Sequence, residues 1–447
     1  MNLVEEALRH TTDTKACVIA ANATEHAAKM FAELFPGERK AFVVADPRTY
    51  GVAGARVEEL LKGAGVEVVR HILGADGKPF HAEYRWVEEV RDVIDGIPVA
   101  VGSGTVNDIV KRASGERGVR YMVVGTAASM DGYTSFGAAI TKDGMKQTLG
   151  CKAPLGCIVD SRVAAEAPRE MVASGYADLL AKIPAGADWI LADAIGSEAI
   201  DPLAWKFVQG PLRASLANPA GAASGDIAET EKLCSGLVMS AFAMQAMGSS
   251  RPASGTEHQV SHYWDMEDLC HNGLPVSHGF KVGIGTLIST KTIEFLLRQN
   301  LSELDVEATV AKWWPDVTSA LATFPRVFGN RPAHVTRAQM EYPKKFPTRD
   351  DLRKELTTIK AIWPELSRKM KAQLMPFEEV HECLRKVGAP AEPEEIGVTR
   401  ARFRETYAGV PYMRARYFSL DLVDRLGLMP QLMEELFGRG GVWEVGE

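Results

Sequence analysis

The sequence predicts an α/β protein with a mainly parallel sheet domain at its N-terminus and an all-helical domain after it. Three observations predict this. Short apolar runs alternate with helical patterns through the first third of the chain, which argues for βαβ units. Strand-like runs nearly vanish after about residue 165, and helical periodicity dominates from Pro168 to the C-terminus. The length, 447 residues, allows two or three domains at roughly 150 residues each.

The elements follow in order. Strand-like runs are Ala41–Ala45 (AFVVA), Val66–Ile72 (VEVVRHI), Ile97–Val101 (IPVAV) and Arg120–Val124 (RYMVV). Helical stretches such as Glu25–Phe35 and Tyr84–Ile94 lie between them. A last short strand, Gly156–Asp160 (GCIVD), follows a polar, glycine-containing stretch. The later part holds periodic helices such as Glu229–Met247 and Thr286–Arg298, and Gly388–Glu395 reads as a loop between helices. The predicted boundaries are 1–165 for the sheet domain and 166–447 for the helical domain. A cleft between two such domains is a common place for a ligand.

Composition narrows the function classes. There are 51 basic and 58 acidic side chains, a net charge of −7, with 46% hydrophobic and 24% charged residues. That is ordinary for a globular protein and lacks the clustered basic face that nucleic acid requires. No apolar run approaches the roughly 18 residues of a membrane span. The acidic, amphipathic start MNLVEEALRHTTDTK does not resemble a secretory signal. The six cysteines form no CxxC pair, so they read as reduced thiols of a cytoplasmic enzyme. Metal ligands are therefore sought among histidines and carboxylates.

Ile97–Ser114 reads strand, glycine turn, helix. Gly102 and Gly104 permit close ligand approach and unusual backbone angles, and Thr105 with Asp108 fits a capping box. Exposed N–H groups at such a helix start suit a pyrophosphate. The motif is not GxGxxG, and a tight turn that binds nothing reads equally well. Asp46, at the end of a strand in VVADPRTY, fits a ribose-binding carboxylate or an Asp-Pro turn starter. As a ribose ligand it would repel a 2′-phosphate and favour NAD. Asp131, in TAASMDGYTS, lies on the carboxyl side of a strand, where α/β enzymes place ligands, or at the apex of a solvated turn.

Four of the ten histidines fall between residues 258 and 278. His258 and His262 are spaced to share one helix face. His278 follows Pro275 and Ser277, which suggest a helix beginning. Asp178, in GYADLLAK, sits early in the first helix after the sheet domain. Two histidines and an aspartate with an open position match a catalytic metal site, although satisfied surface histidines are the commoner occurrence. Lys182, four residues after Asp178, reads as a helix salt bridge.

Taken together, these motifs resemble the iron-containing alcohol dehydrogenase superfamily, most of all its sn-glycerol-1-phosphate dehydrogenase branch in bacteria. The matching pieces are GSGTVND (102–108), TAASMDGYTS (126–135), APLGCIVD (153–160), GYADLLAK (175–182), SGTEHQVSH (254–262), SHGFKVGIGTL (277–287) and IGVTRARF…YMRARYFSLDL (396–422). The resemblance implies a Rossmann-like domain followed by a helical domain. It implies metal ligands at Asp178, His258 and His278, and substrate contacts at Asp131, His262 and Asp178. Its nucleotide contacts map onto Gly102, Ser103, Gly104, Thr105 and Val106, onto Thr126, Ala127, Ala128 and Ser129, and onto Ser135. Asp46 matches an acidic position that favours NAD.

The activity implied is reversible hydride transfer between a nicotinamide cofactor and the dihydroxyacetone phosphate/sn-glycerol 1-phosphate pair. The cofactor implied is NAD, with NADP as the alternative. The metal implied is one divalent ion, zinc first, then nickel or iron. The partners expected are a small phosphorylated substrate and further copies of the same chain, a dimer or larger, with no nucleic acid and no membrane span. Lys281, Arg251 and Lys182 are candidates for meeting the substrate phosphate. Two rivals stand beside this reading. One is another polyol or alcohol dehydrogenase of the superfamily, such as a glycerol dehydrogenase. The other is a sugar-phosphate cyclase of the dehydroquinate synthase type, a lyase.

Overall fold

The computed structural model describes residues 3–75, 80–142 and 145–446. Its early strands are β1 (Ala16–Ala20), β2 (Lys40–Ala45), β3 (Glu67–Ile72), β4 (Ile97–Gly102), β5 (Met122–Gly125), β6 (Ala138–Lys142), β7 (Met145–Leu149) and β8 (Gly156–Asp160). Six of them form one sheet in the order β1-β8-β5-β4-β2-β3, and every pairing in it is parallel. β6 and β7 pair as a separate antiparallel hairpin.

The five predicted runs are all strands of the parallel sheet. β1 and the β6–β7 hairpin were not expected. The central strands β2, β4, β5 and β8 are buried along nearly their whole length. Burial on both faces is why they read as continuous apolar runs rather than alternating ones. On one face Val43, Ala45, Val99, Val101, Met122, Val124 and Ile158 pack against Met30, Phe31, Val57 and Leu61 from helices Ala27–Leu34 and Ala55–Gly63. Helix Gly104–Arg117 lies against β2, β4 and β5.

The topology sets where a ligand can sit. From β2 the chain steps outward to β3, returns across β2 to β4, and then proceeds the other way to β5 and β8. The winding direction therefore changes between β2 and β4. Ligands of open α/β sheets bind outside the carboxyl ends of the strands at such a switch point.

The chain divides into two compact units. The first holds Met1–Leu179, Pro202–Ala253 and Lys386–Ala389. The helix pair Pro202–Ser215 and Ile227–Met247 thus groups with the sheet. The second holds Leu180–Asp201, Ser254–Arg385 and Pro390–Glu447, and is helical apart from the short hairpin of β9 (Cys270–His271) and β10 (Leu274–Pro275). Among the described residues no helix is long and apolar enough to cross a membrane.

Candidate active site

At the glycine turn, β4 ends at Gly102 and a helix runs from Gly104 to Arg117. The predicted capping box is absent. Ser103 is the N-cap residue and makes no side-chain cap bond. Asp108 turns away from the helix start: its Oδ2 accepts the Ala139 N–H at 3.1 Å, and its Oδ1 lies 3.3 Å from the Lys111 ammonium. No capping side chain therefore competes for the first-turn N–H groups, and the positive end of the helix dipole is left for an anion. The glycines serve close packing rather than unusual backbone angles, since neither has a positive φ. A Cβ on Gly102 would stand 2.7 Å from the Val106 side chain, and one on Gly104 would stand 2.9 Å from Met130 Cε.

Asp46 follows β2, the strand beside β4 at the switch point. Its Oδ1 accepts the N–H groups of Arg48 at 2.8 Å and Thr49 at 2.9 Å, a capping box with Pro47 in the first helical position. The turn-starter reading is thus correct. Both bonds fall on Oδ1, so a diol can still approach Oδ2.

Thr126, Ala127, Ala128 and Ser129 leave β5, whose Gly125 pairs with Gly102. The segment is bound back by Thr126 N–H to Gly102 O at 3.2 Å. The Tyr133 hydroxyl donates toward Ala127 O at 2.9 Å and lies 3.3 Å from Gly102 O. This buried tyrosine has no local signature in the sequence. Further on, the fully buried Lys111 ammonium donates to Gly132 O at 2.8 Å and Gly137 O at 3.1 Å, bracketing Ser135. Asp46, the 102–106 turn and the 126–135 segment thus follow the carboxyl ends of three adjacent strands, β2, β4 and β5.

Asp131 is held rather than loose. Its Oδ2 accepts the Ser240 hydroxyl at 2.9 Å, and its N–H donates to Asp178 Oδ2 at 3.0 Å. Asp178 occupies the last turn of helix Arg169–Leu180, not an early position in the first helix after the sheet. Ala181 interrupts the helix, and Lys182 begins the next one, Lys182–Ala194. Both Asp178 and Lys182 are fully buried, so neither belongs to a solvated helix face.

His258 and His262 share the helix Thr256–Asp265, and His278 opens the helix His278–Leu297 with Ser277 as its N-cap. The His258 ring centroid is 5.4 Å from that of His278 and 6.3 Å from that of His262. Asp178, His258 and His278 each offer a ligand atom, and these atoms lie within 4.8 Å of one another. His262 stands apart from the trio, with Nδ1 3.4 Å from Asp265 Oδ2 and 46% of its side chain exposed. Desolvation lowers its pKa, and the nearby Asp265 opposes that shift. The second Asp265 oxygen pairs with the buried Lys281 ammonium.

The surroundings fit a cation. His258 Nδ1 is 2.8 Å from Glu257 Oε1, and His278 Nδ1 is 3.5 Å from Ser261 Oγ. With Nδ1 donating to the carboxylate, His258 presents its Nε2 lone pair, the usual support for a metal-bound imidazole. Glu257 Oε1 also accepts the Gly255 N–H at 2.6 Å. Asp188, also fully buried, fixes the start of the same helix. Its Oδ2 accepts the N–H and hydroxyl of Thr256 at 2.8 and 2.9 Å, and its Oδ1 accepts the N–H and hydroxyl of Ser419 at 2.7 and 2.5 Å. Burial, and then the Glu257 charge, raises the Asp188 pKa. Glu257 did not stand out in the sequence, where acidic residues on helices usually face water. Glu257→Gln is expected to weaken divalent-cation affinity about 10–100-fold with the ligands intact. Competition with a chromophoric chelator measures it, and unchanged affinity would remove Glu257 from this role.

The profile of the iron-containing alcohol dehydrogenase family matches residues 18–168. The NAD(P)+ glycerol-1-phosphate dehydrogenase of Bacillus licheniformis is 28% identical over 439 residues, covering 97% of this chain and 95% of that protein. The enzyme of the same name from Bacillus velezensis is 33% identical over 313 residues, covering 67% and 77%. That from Halalkalibacterium halodurans is 36% identical over 251 residues, covering 55% of this chain and 63% of that protein. Among solved structures, the NADH-dependent butanol dehydrogenase A of Thermotoga maritima aligns with a TM-score of 0.59 at 14% identity, covering 94% of this chain and 97% of that one. That likeness shows the shared fold.

Proposed function

The chain belongs to the iron-containing alcohol dehydrogenase family, in its glycerol-1-phosphate dehydrogenase branch, and from that premise we propose that it interconverts dihydroxyacetone phosphate and sn-glycerol 1-phosphate with NAD or NADP. The observation that carries this reading is the convergence of Asp178, His258 and His278 on one point. Two imidazoles and a carboxylate form the donor set of a catalytic divalent metal with an open position, zinc first, with nickel or iron next. When bound, the nicotinamide supplies the hydride and the cation supplies Lewis acidity to the substrate oxygen.

The chain's own residues do the rest. First-turn N–H groups at Gly104, Thr105 and Val106, with Gly102 and Ser103 before them, receive the pyrophosphate. Asp46 Oδ2 accepts from the ribose diol. Thr126–Ser129 and Ser135 line the approach of the cofactor. Asp178 receives the Asp131 N–H at one carboxylate oxygen, which fixes the orientation of the other. Asp131 accepts a substrate hydroxyl beside the Ser240 bond it already holds. His262, partly open to solvent and backed by Asp265, passes the proton at its Nε2. In this assignment residues 1–165 carry the cofactor and residues 166–447 carry the metal. The six free thiols suit a cytoplasmic setting, and a homo-oligomer is part of the proposal.

An assay panel tests the reading against its rivals. Dihydroxyacetone phosphate should consume NADH stoichiometrically and faster than dihydroxyacetone or simple ketones. Preference for the unphosphorylated ketones would favour a glycerol dehydrogenase, and conversion without net NADH loss would favour a cyclase. Asp46→Ala should raise the KM for NADH more than for NADPH, because the carboxylate would otherwise bond the 2′-hydroxyl and repel a 2′-phosphate. An unchanged ratio of the two KM values would take Asp46 out of the ribose site.

A further inference from the structure

We propose that Gly175 and Tyr133 are positioning residues for hydride transfer, which together set the distance from the cofactor-lining segment 126–129 to the metal ligand Asp178. The inference rests on the cofactor and metal assignments above.

Helix Arg169–Leu180 carries Ser174, Gly175 and Asp178. Residues three and four apart are neighbours on a helix, so all three lie along one side of it. That side is pressed onto the chain that leaves β5. A Cβ on Gly175 would stand 2.0 Å from Ala128 O, 2.7 Å from Ala128 C and 3.1 Å from Ser129 N, a tighter fit than at Gly102 or Gly285. Glycine inside a helix costs stability, and Gly175 has no positive φ that would call for it. The close approach is its reason. On either side of Gly175 the contact is tied by a hydrogen bond: Ser174 Oγ donates to Ser129 O at 3.2 Å, and the Asp131 N–H donates to Asp178 Oδ2 at 3.0 Å.

Tyr133 fixes the same segment to the sheet. Its hydroxyl donates to Ala127 O at 2.9 Å and lies 3.3 Å from Gly102 O, at the end of β4. Its ring covers Gly125, where a Cβ would stand 2.8 Å from Tyr133 Cζ. The backbone at 127 and 128 is thus held by the tyrosine hydroxyl and by direct contact with the helix at Gly175. Three residues further along that helix is Asp178. A nicotinamide resting on 126–129 is thereby tied in distance to whatever Asp178 holds. Hydride transfer is sensitive to that distance, since a misplacement of about 1 Å costs on the order of 100-fold in rate.

The test uses the full chain. Gly175→Ala should lower kcat on dihydroxyacetone phosphate on the order of 100-fold, while NADH affinity and metal stoichiometry stay near those of the wild type. A second readout needs no turnover. With Mn²⁺ loaded as the divalent ion and NAD bound, paramagnetic relaxation of the nicotinamide protons reports their distance from the metal. It should fall severalfold in Gly175→Ala. Tyr133→Phe keeps the packed ring and decides the matter if the alanine variant does not fold. Losing one hydrogen bond, it should lower kcat about five- to tenfold and shift the relaxation as well. A lowered Tm with unchanged kcat and unchanged relaxation would show that these contacts support the fold alone and would overturn the proposal. A loss of NADH or metal binding large enough to account for the fall in kcat would also overturn it. A wild type whose bound NAD shows no Mn²⁺-dependent relaxation would instead refute the shared metal and cofactor centre, and this role with it.

Discussion

His258→Ala and His278→Ala should each lose the bound divalent ion and on the order of 10³-fold or more in turnover, while the fold survives. The size follows from the role. Lewis-acid stabilisation of a developing alkoxide is worth several kcal/mol, and each 1.4 kcal/mol is about tenfold in rate. The fold should survive because both residues stand where two helices are already fixed by other bonds. Asp188 holds the start of the His258 helix through Thr256, and Ser277 caps the His278 helix by accepting the Phe280 N–H at 3.3 Å. Removing the His258 ring leaves Glu257 with its Gly255 N–H bond, so the stability loss should stay near 1–3 kcal/mol. Metal analysis after dialysis and a thermal melt read the two effects separately. Stoichiometric metal with near-normal turnover in either variant would refute the centre.

The second large effect should come from a residue that touches no ligand. Gly285, in the middle of helix His278–Leu297, lies against the backbone of the histidine helix: a Cβ there would stand 2.3 Å from Glu257 O and 3.0 Å from Glu257 Cα. Backbone atoms of a packed helix cannot swing aside as a side chain tip would. Gly285→Ala should therefore push the two helices apart, costing about 1–3 kcal/mol by overpacking, and Gly285→Val should cost more. The displacement falls on the residue beside His258 and on the helix that carries His278. Cation affinity should thus fall in Gly285→Ala although all three ligands remain. A lowered Tm with unchanged metal affinity would show that the crossing supports the fold alone. An unchanged Tm would show that the close approach is absent.

These residues also mark where the sequence is legible. The parallel strands were visible because burial on both faces turns them into unbroken apolar runs. The hairpin β6–β7 was not, because its strands carry alternating polar side chains and read as a loop. β1 was hidden by its short run and half-buried positions. The metal trio was legible as residue types, through the His spacing and the resemblance, yet the place of Asp178 at a helix end was misjudged. Its neighbours were illegible for a plain reason: Ser240 meets Asp131 across 109 residues and Ser419 meets Asp188 across 231. No local pattern encodes such pairs. Gly285 did leave a trace, as a glycine inside a long apolar helix, a position where glycine costs stability unless a close approach requires it.

The proposed activity is reduction of the carbonyl of dihydroxyacetone phosphate with a nicotinamide at the Asp178–His258–His278 centre. Its most direct test is an NADH oxidation assay on dihydroxyacetone phosphate with the metal-loaded enzyme, followed by chiral analysis of the product. One NADH should be consumed per product, with sn-glycerol 1-phosphate as the isomer formed and the reaction abolished by a chelator. Formation of sn-glycerol 3-phosphate, or turnover that persists without a divalent ion, would contradict it.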